Sequence, residues 1–305
     1  MKPDAGAALQ KKEDLSAAFE RTAVRVSAGS IAVNLLLSVL KLFAGIFAHS
    51  GAMISDAVHS ASDVFSSIIV IIGVKLSAKE ADRDHPYGHE RFECVAAIVL
   101  AVVLLISGLL IGYTGIKNVA GGETAVQEPP GLLALIAAAV SIAVKEAMYW
   151  ITRAFAKKIR SGALMADAWH HRSDALSSIG ALVGIVGARM GFPVMDTAAS
   201  MLICVFIVKA AYDIFKDAVD KMVDRSCGGE EEQAILQCAM GIDGVIKVDL
   251  LHTRIFGSRT YVDMEICADG KLTLEEGHEI ARRVHVAVEE QFPDVKHIMV
   301  HVNPA

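Results

Sequence analysis

Asp56-Ala-Val-His59-Ser-Ala-Ser-Asp63 recurs as Asp167-Ala-Trp-His170-His-Arg-Ser-Asp174, and each copy lies in an apolar segment long enough to cross a bilayer. Residues four apart share one face of a helix, so His59 stands over Asp63 and His170 over Asp174. Two such helices face to face offer two imidazoles and two carboxylates to one ion, a donor set that suits a tetrahedral dication. An acid at the bilayer centre costs roughly 2.5 to 3.5 kcal/mol on insertion scales, so Asp63 and Asp174 require a neutralising partner, which a bound cation supplies. The bland alternative is helix-packing glue without an ion, and it does not explain why the spacing occurs twice. Asp56 and Asp167, three residues ahead of each histidine, read as supporting or capping acids. His171 falls one residue off the ligand face.

The composition agrees with a membrane location. The 305 residues are 53% hydrophobic with a mean hydropathy of +0.46, too apolar for a soluble protein, yet a polar stretch follows residue 225. Apolar runs at 24–48, 51–77, 92–118, 130–152, 163–189 and 194–217 predict six transmembrane helices. Lys75, Lys79, Arg83 and Arg91, then Arg153, Lys157, Lys158 and Arg160, then Lys216, Lys221 and Arg225 gather at one side of these spans. The positive-inside rule therefore places both termini in the cytosol. The polar residues 1–22 contain no apolar core of a removable signal peptide. A net charge of −6 argues against nucleic acid as a partner. Five cysteines without a CxxC pair indicate neither a disulfide framework nor a thiolate zinc site. Lys145 and Glu146, inside the fourth span, balance each other or snorkel to the membrane edge.

Two further regions carry candidate ligands. In Asp82-Arg-Asp-His85-Pro-Tyr-Gly-His89-Glu-Arg91, the Pro-Tyr-Gly turn brings His85 and His89 to one point with Asp82 in reach. A purely structural role, tying the loop to the next helix, is the alternative. After a linker at 226–232 the pattern reads helix, strand 245–256, strand 260–268, helix and strand 296–302, an αββαβ domain with both helices free to cover one face of the sheet. Thr273 and Glu276 form a capping-box pair ahead of the second helix, whose stripe is Ile280, Val284 and Val288. Alternation puts Val262, Met264 and Ile266 on one face and Asp263 and Glu265 on the other, with His297 and His301 opposite in parity to Ile298, Val300 and Val302. That polar face is a solvated surface, a dimer contact or a metal site.

Taken together, these motifs make the chain similar to the cation diffusion facilitator family, over nearly its whole length. The resemblance implies an α-helical membrane protein of six transmembrane helices with a small α+β cytosolic domain like that of ferredoxins and metallochaperones. Its parts would be a polar tail 1–22, a transport domain 23–225 and a regulatory, dimerising domain 226–305. It implies a transport site of His59, Asp63, His170 and Asp174 and a loop site of Asp82, His85 and His89. By the same resemblance Arg91 pairs with Asp224, and Asp249, Glu265, His278 and His301 take the metal-bridging positions of the tail. Here the chain departs from the family: Asp249 and Glu265 stand where histidines are common, and Asn303 replaces an acid. His252 is a neighbouring alternative ligand, of opposite strand parity to Asp249.

The expected function is export of a divalent metal, preferring zinc, from the cytosol across the cytoplasmic membrane by a homodimer that exchanges it for protons through alternating access. Imidazoles and carboxylates bind a dication when deprotonated and release it when protons compete. The same transporter with iron, manganese, cobalt or cadmium as main substrate is one alternative; a membrane-anchored metal sensor or scaffold is another. No enzyme is expected, because a metal-dependent hydrolase needs an open coordination position and a general base, and no HExxH is present.

Overall fold

The computed structural model describes residues 5–47, 57, 60–61, 63–120, 132–189 and 194–305. Its long helices are α1 (Ala5–Phe47), α2 (Val64–Ser77), α3 (Arg91–Ala120), α4 (Leu132–Lys158), α5 (Gly162–Arg189) and α6 (Val194–Met222). α1 begins well before its apolar run because Ala, Leu, Glu and Lys, strong helix formers, fill its first turns. Among the described residues, Ala17–Ala44 and Arg91–Tyr113 are long and apolar enough by themselves to cross a membrane.

The distribution of polarity over these helices is inverted relative to a soluble protein. Leu35, Leu36, Leu109, Leu110, Leu202 and Phe206 are exposed, whereas Asn34, Lys41, Asp63, Lys145, Asp167 and His171 are buried. A surface of this kind is stable only against a hydrocarbon solvent. Of these buried groups Lys41, Asp63, Lys145, Asp167 and His171 find partners on neighbouring segments, whereas the Asn34 amide meets no hydrogen-bond partner among the described residues. Small residues permit the close approach: a Cβ on Gly73 of α2 would lie 2.3 Å from the Ala96 Cβ of α3.

Between α4 and α5 the chain reverses in three residues. Arg160 takes the left-handed conformation (φ 53°), the Ser161 N–H donates to the Ala156 carbonyl at 2.9 Å, and the Ser161 hydroxyl accepts from the Leu164 N–H at 3.1 Å. The first bond closes α4 and the second caps α5. The two helices run back against each other, which sets Lys145 level with Asp174.

Backbone contacts divide the chain into two compact units. Glu20–Lys79 with Phe92–Ala218 form one, and Glu80–Arg91 with Val219–Ala305 belong to the other. The second contains α7 (Gly229–Met240), β1 (Lys247–Phe256), β2 (Arg259–Ala268), α8 (Leu274–Gln291) and β3 (Val295–Pro304). The sheet order is β1-β2-β3, with β1 antiparallel and β3 parallel to β2. Val262, Met264 and Ile266 of β2 pack against Ile280, Val284 and Val288 of α8 and Ile235 of α7. Each such side chain contributes about 1.5 to 3 kcal/mol by leaving water. Thr273 and Glu276 complete the capping box at the start of α8.

The ladder also corrects a parity argument. A bulge between Val248 and Leu250 leaves Asp249 as the extra residue, so the alternation along β1 resets. His252 therefore pairs with Asp263, and Leu250 with Glu265.

Candidate metal centre

The first octet lies partly outside the described residues, and His59 is among those outside. The rest of the expected quartet is brought together. Asp63 immediately precedes α2 and makes no capping bond to it. Its Oδ1 lies 3.5 Å from His170 Nε2, and its Oδ2 accepts a hydrogen bond from Lys145 Nζ at 2.5 Å. Lys145 also donates to Asp174 Oδ2 at 2.9 Å. One ligand atom each from Asp63, His170 and Asp174 lies within 4.8 Å of the others, close enough to share a cation. Lys145 and Asp63 are each 3% exposed, so these charges interact in a medium that screens them poorly.

Asp167 and His171 build the wall behind this site. Asp167 is fully buried and accepts from the Ser66 hydroxyl at 3.2 Å and the Ser67 hydroxyl at 3.4 Å. His171 Nε2 stands 3.6 Å from Asp167 and 3.2 Å from the Ser30 hydroxyl. These contacts tie α5 to α2 and α1, which fixes the rotation that turns His170 and Asp174 inward.

Lys145 and Glu146 do not balance each other. Successive residues on a helix point in different directions, and Glu146 turns to the Trp150 Nε1–H at 2.9 Å and to Arg172 at 3.8 Å while Lys145 turns to the carboxylates. Sequence reasoning missed this lysine as a member of the site. The available signal was the α4–α5 hairpin: Ser161 is a cap, and equal travel back and forward along the two helices brings Lys145 beside Asp174.

The loop ligands also converge. Asp82 Oδ1 accepts from the Asp84 and His85 N–H groups at 3.1 and 2.8 Å, which bends the loop. Its Oδ2 lies 3.4 Å from His89 Nε2, and the His85 and His89 rings are 4.5 Å apart. His89 Nδ1 is 3.0 Å from the Glu80 carbonyl, and donation there leaves Nε2 as the lone-pair nitrogen facing Asp82 and His85. The loop lies on the sheet of its own unit. The Tyr261 hydroxyl donates to the Tyr87 carbonyl at 2.9 Å, Lys296 pairs with Glu90, and Arg91 pairs with Asp224. Burial, reinforced by the Glu90 charge, pushes the Tyr261 phenol up to about 12.

In the C-terminal sheet the candidate ligands are only partly assembled. The Asn303 amide donates to Asp249 at 3.2 Å and to Glu265 at 3.1 Å, and Lys247 lies 2.7 Å from Asp249. Asp249 is held below the ordinary carboxylate range by its bond from Lys247 and then by that from Asn303. His301 pairs with Glu265 across the ladder, whereas His278 sits exposed on α8, which covers the opposite face. Among the described residues these four form no three-ligand group within one chain.

Residues 28–223 match the cation efflux transmembrane domain, and residues 227–305 match the cytoplasmic domain of cation efflux proteins. The chain belongs to the cation diffusion facilitator family. It is 35% identical to the uncharacterized transporter YdbO of Bacillus subtilis (strain 168), over 90% of this chain and 93% of that one. To the manganese efflux system proteins MneS and MneP of the same bacterium it is 33% and 31% identical, over 90% and 93% of this chain and 93% and 97% of theirs. A solved C-terminal domain of MamM is 28% identical over 25% of this chain and 96% of that one, with a TM-score of 0.25. This member of the family is accordingly a divalent metal cation efflux transporter of a membrane, not an enzyme, with a dimerising C-terminal domain.

Proposed function

We propose that this facilitator exports zinc from the cytosol in exchange for protons, as a homodimer in the cytoplasmic membrane, with six transmembrane helices and both termini cytosolic. In this reading residues 1–22 are a cytosolic tail, 23–225 the transport domain and 226–305 the regulatory domain. The observation that carries the reading is the convergence of Asp63, His170 and Asp174 on one buried point. His59, one helical turn before Asp63 in the sequence, completes the transport site. Imidazole nitrogen favours zinc over harder ions, and the two carboxylates supply the charge that replaces part of the hydration shell. Protons compete for the same four groups, so a site open to a more acidic side discharges the metal and returns protonated.

The loop ligands Asp82, His85 and His89 form a second ion site in the cytosol. Asp249, Glu265, His278 and His301 are assigned to metal sensing at the dimer, where a second copy supplies the ligands that one chain does not assemble. A second reading, manganese as the main substrate, is favoured by the likeness to MneS and MneP.

The test is flux into vesicles holding the purified dimer, under a set pH gradient, with zinc, cadmium, cobalt, iron and manganese in parallel. Zinc is expected to move fastest and to drive protons the opposite way. Asp174→Ala is expected to abolish both fluxes in a folded dimer, because it removes one of the two charged ligands. Wild-type flux in that variant overturns the site, faster manganese than zinc overturns the preference, and flux without counter-movement of protons overturns the exchange.

A further inference from the structure

Asp63 and Asp174 come from different helices, and the group that joins them is Lys145 of α4. Its Nζ donates to one oxygen of each carboxylate, at 2.5 and 2.9 Å, and its side chain is 3% exposed. An ammonium here answers the need for neutralisation that Asp63 and Asp174 raise as buried acids. It also competes with any other cation for the same oxygens. A dication seated between Asp63, His170 and Asp174 with the ammonium still bonded would place like charges a few ångströms apart in a poorly screened interior. Lysine has the means to leave: three rotatable donors on a flexible four-carbon stem move without displacing the helix that carries them.

We propose that Lys145 is a tethered rival of the transported cation. Its ammonium holds Asp63 and Asp174 while the site carries no metal, withdraws when a dication binds, and returns to help expel it. This rests on the assignment of Asp63, His170 and Asp174 to the transport site. The consequence is a division of effects. Lys145 weakens metal binding, and by weakening it lets the metal leave and leaves the empty carrier with paired carboxylates. Arginine at this position would not substitute for it. A planar guanidinium forks onto both carboxylates with several bonds at once and withdraws less readily.

The experiment compares Lys145→Gln, Lys145→Arg and Asp174→Ala in the full-length dimer, by calorimetric titration with zinc and by zinc flux in vesicles. Each protein, the wild-type reference included, also has His85, His89, His278 and His301 replaced by alanine, so that the other proposed ion sites do not contribute. Folding is monitored by circular dichroism and gel filtration. Lys145→Gln retains a hydrogen-bond donor but removes the charge, and is expected to bind zinc about tenfold more tightly, with KM lowered and kcat lowered because release slows. Lys145→Arg is expected to bind zinc about tenfold more weakly than wild type, with the fold intact. A merely structural lysine would instead lower affinity in the glutamine variant and be rescued by arginine. Unchanged or weaker zinc binding by folded Lys145→Gln overturns the proposal. Should that variant not fold, wild-type affinity in Lys145→Arg overturns it. Asp174→Ala separates the two failures: if it keeps the wild-type zinc affinity, the site assignment itself is wrong, and if it loses that affinity while Lys145→Gln changes nothing, only the role of Lys145 is.

Discussion

At the scale of single residues, selectivity depends on which donor atoms face the cation. In the proposed transport site His170 supplies the described imidazole, held 3.5 Å from Asp63 and backed by the Asp167 and His171 wall. Replacing it by a carboxylate makes the set harder and its geometry looser, so His170→Asp is expected to lower zinc flux relative to manganese and cadmium. Competition flux with mixed metals measures this, and an unchanged ranking would remove His170 from the ligand set. The convergence of Asp63, His170 and Asp174 was legible from the repeated spacing, because helical spacing needs no tertiary information. Lys145 was not, since its meaning depends on a hairpin that returns α5 beside α4, and a lysine in an apolar span has a plainer explanation in snorkelling. Asn303 is a parallel case. As a letter it is the loss of an acid; in the ladder it donates to both Asp249 and Glu265 and fills the position where a ligand was expected.

At the scale of elements, the 80–91 loop is shaped by the sheet on which it lies. Gly257, at φ +65° in the turn between β1 and β2, lies beneath Glu90, and a Cβ there would meet the Glu90 carbonyl at 2.5 Å. Gly257→Ala is expected to cost about 1 to 2 kcal/mol from the left-handed backbone alone and to lift the loop. Thermal unfolding reads the first effect, and a fall in metal affinity at the proposed loop site of Asp82, His85 and His89 reads the second. Tyr261 adds a bond from the other side, and its loss in Tyr261→Phe is expected to cost about 1 kcal/mol. The phenol gives that contact a pH signature. The folded chain holds the proton up to about 12 while the unfolded tyrosine releases it near 10.0, so the stabilisation is complete below the lower value and fades as the pH rises through the higher one. The difference in melting temperature between wild type and Tyr261→Phe should therefore narrow over that alkaline interval. A difference that stays constant would show that Tyr261 does not titrate there. Strand alternation found β1, β2 and β3 to within two residues, but not the bulge at Asp249, because an inserted residue leaves the sequence pattern intact on either side and changes only the pairing.

At the scale of the whole molecule, two kinds of core are present. The helical unit buries serines, lysines, acids and histidines among its alanines and exposes many leucines and phenylalanines, whereas the C-terminal sheet buries valines and isoleucines and turns acids and histidines outward. Among the described residues, hydropathy marks Ala17–Ala44 and Arg91–Tyr113 as long and apolar enough to cross a membrane, and the exposed leucines and phenylalanines of the other helices carry the same signal. The C-terminal candidates were harder to read because, among the described residues, they form no three-ligand group within one chain. His301 shares a face with Glu265, while His278 stands on the helix covering the other face, so any ion that uses both must draw on a second copy. Under the proposed assignment regulation is separate from transport: a site completed between protomers would respond to metal by drawing the two domains together, and it shares no residue with Asp63, His170 and Asp174. A dimer lacking both side chains, His278→Ala with His301→Ala, is expected to keep measurable zinc flux at saturating metal but to lose the rise in activity with cytosolic metal. Spin labels on the two C-terminal domains should approach each other on adding zinc to the wild type and remain apart in the double variant. If that variant stays folded and dimeric yet carries no zinc at any concentration, the C-terminal domain is an obligatory part of the transport cycle and not its regulator.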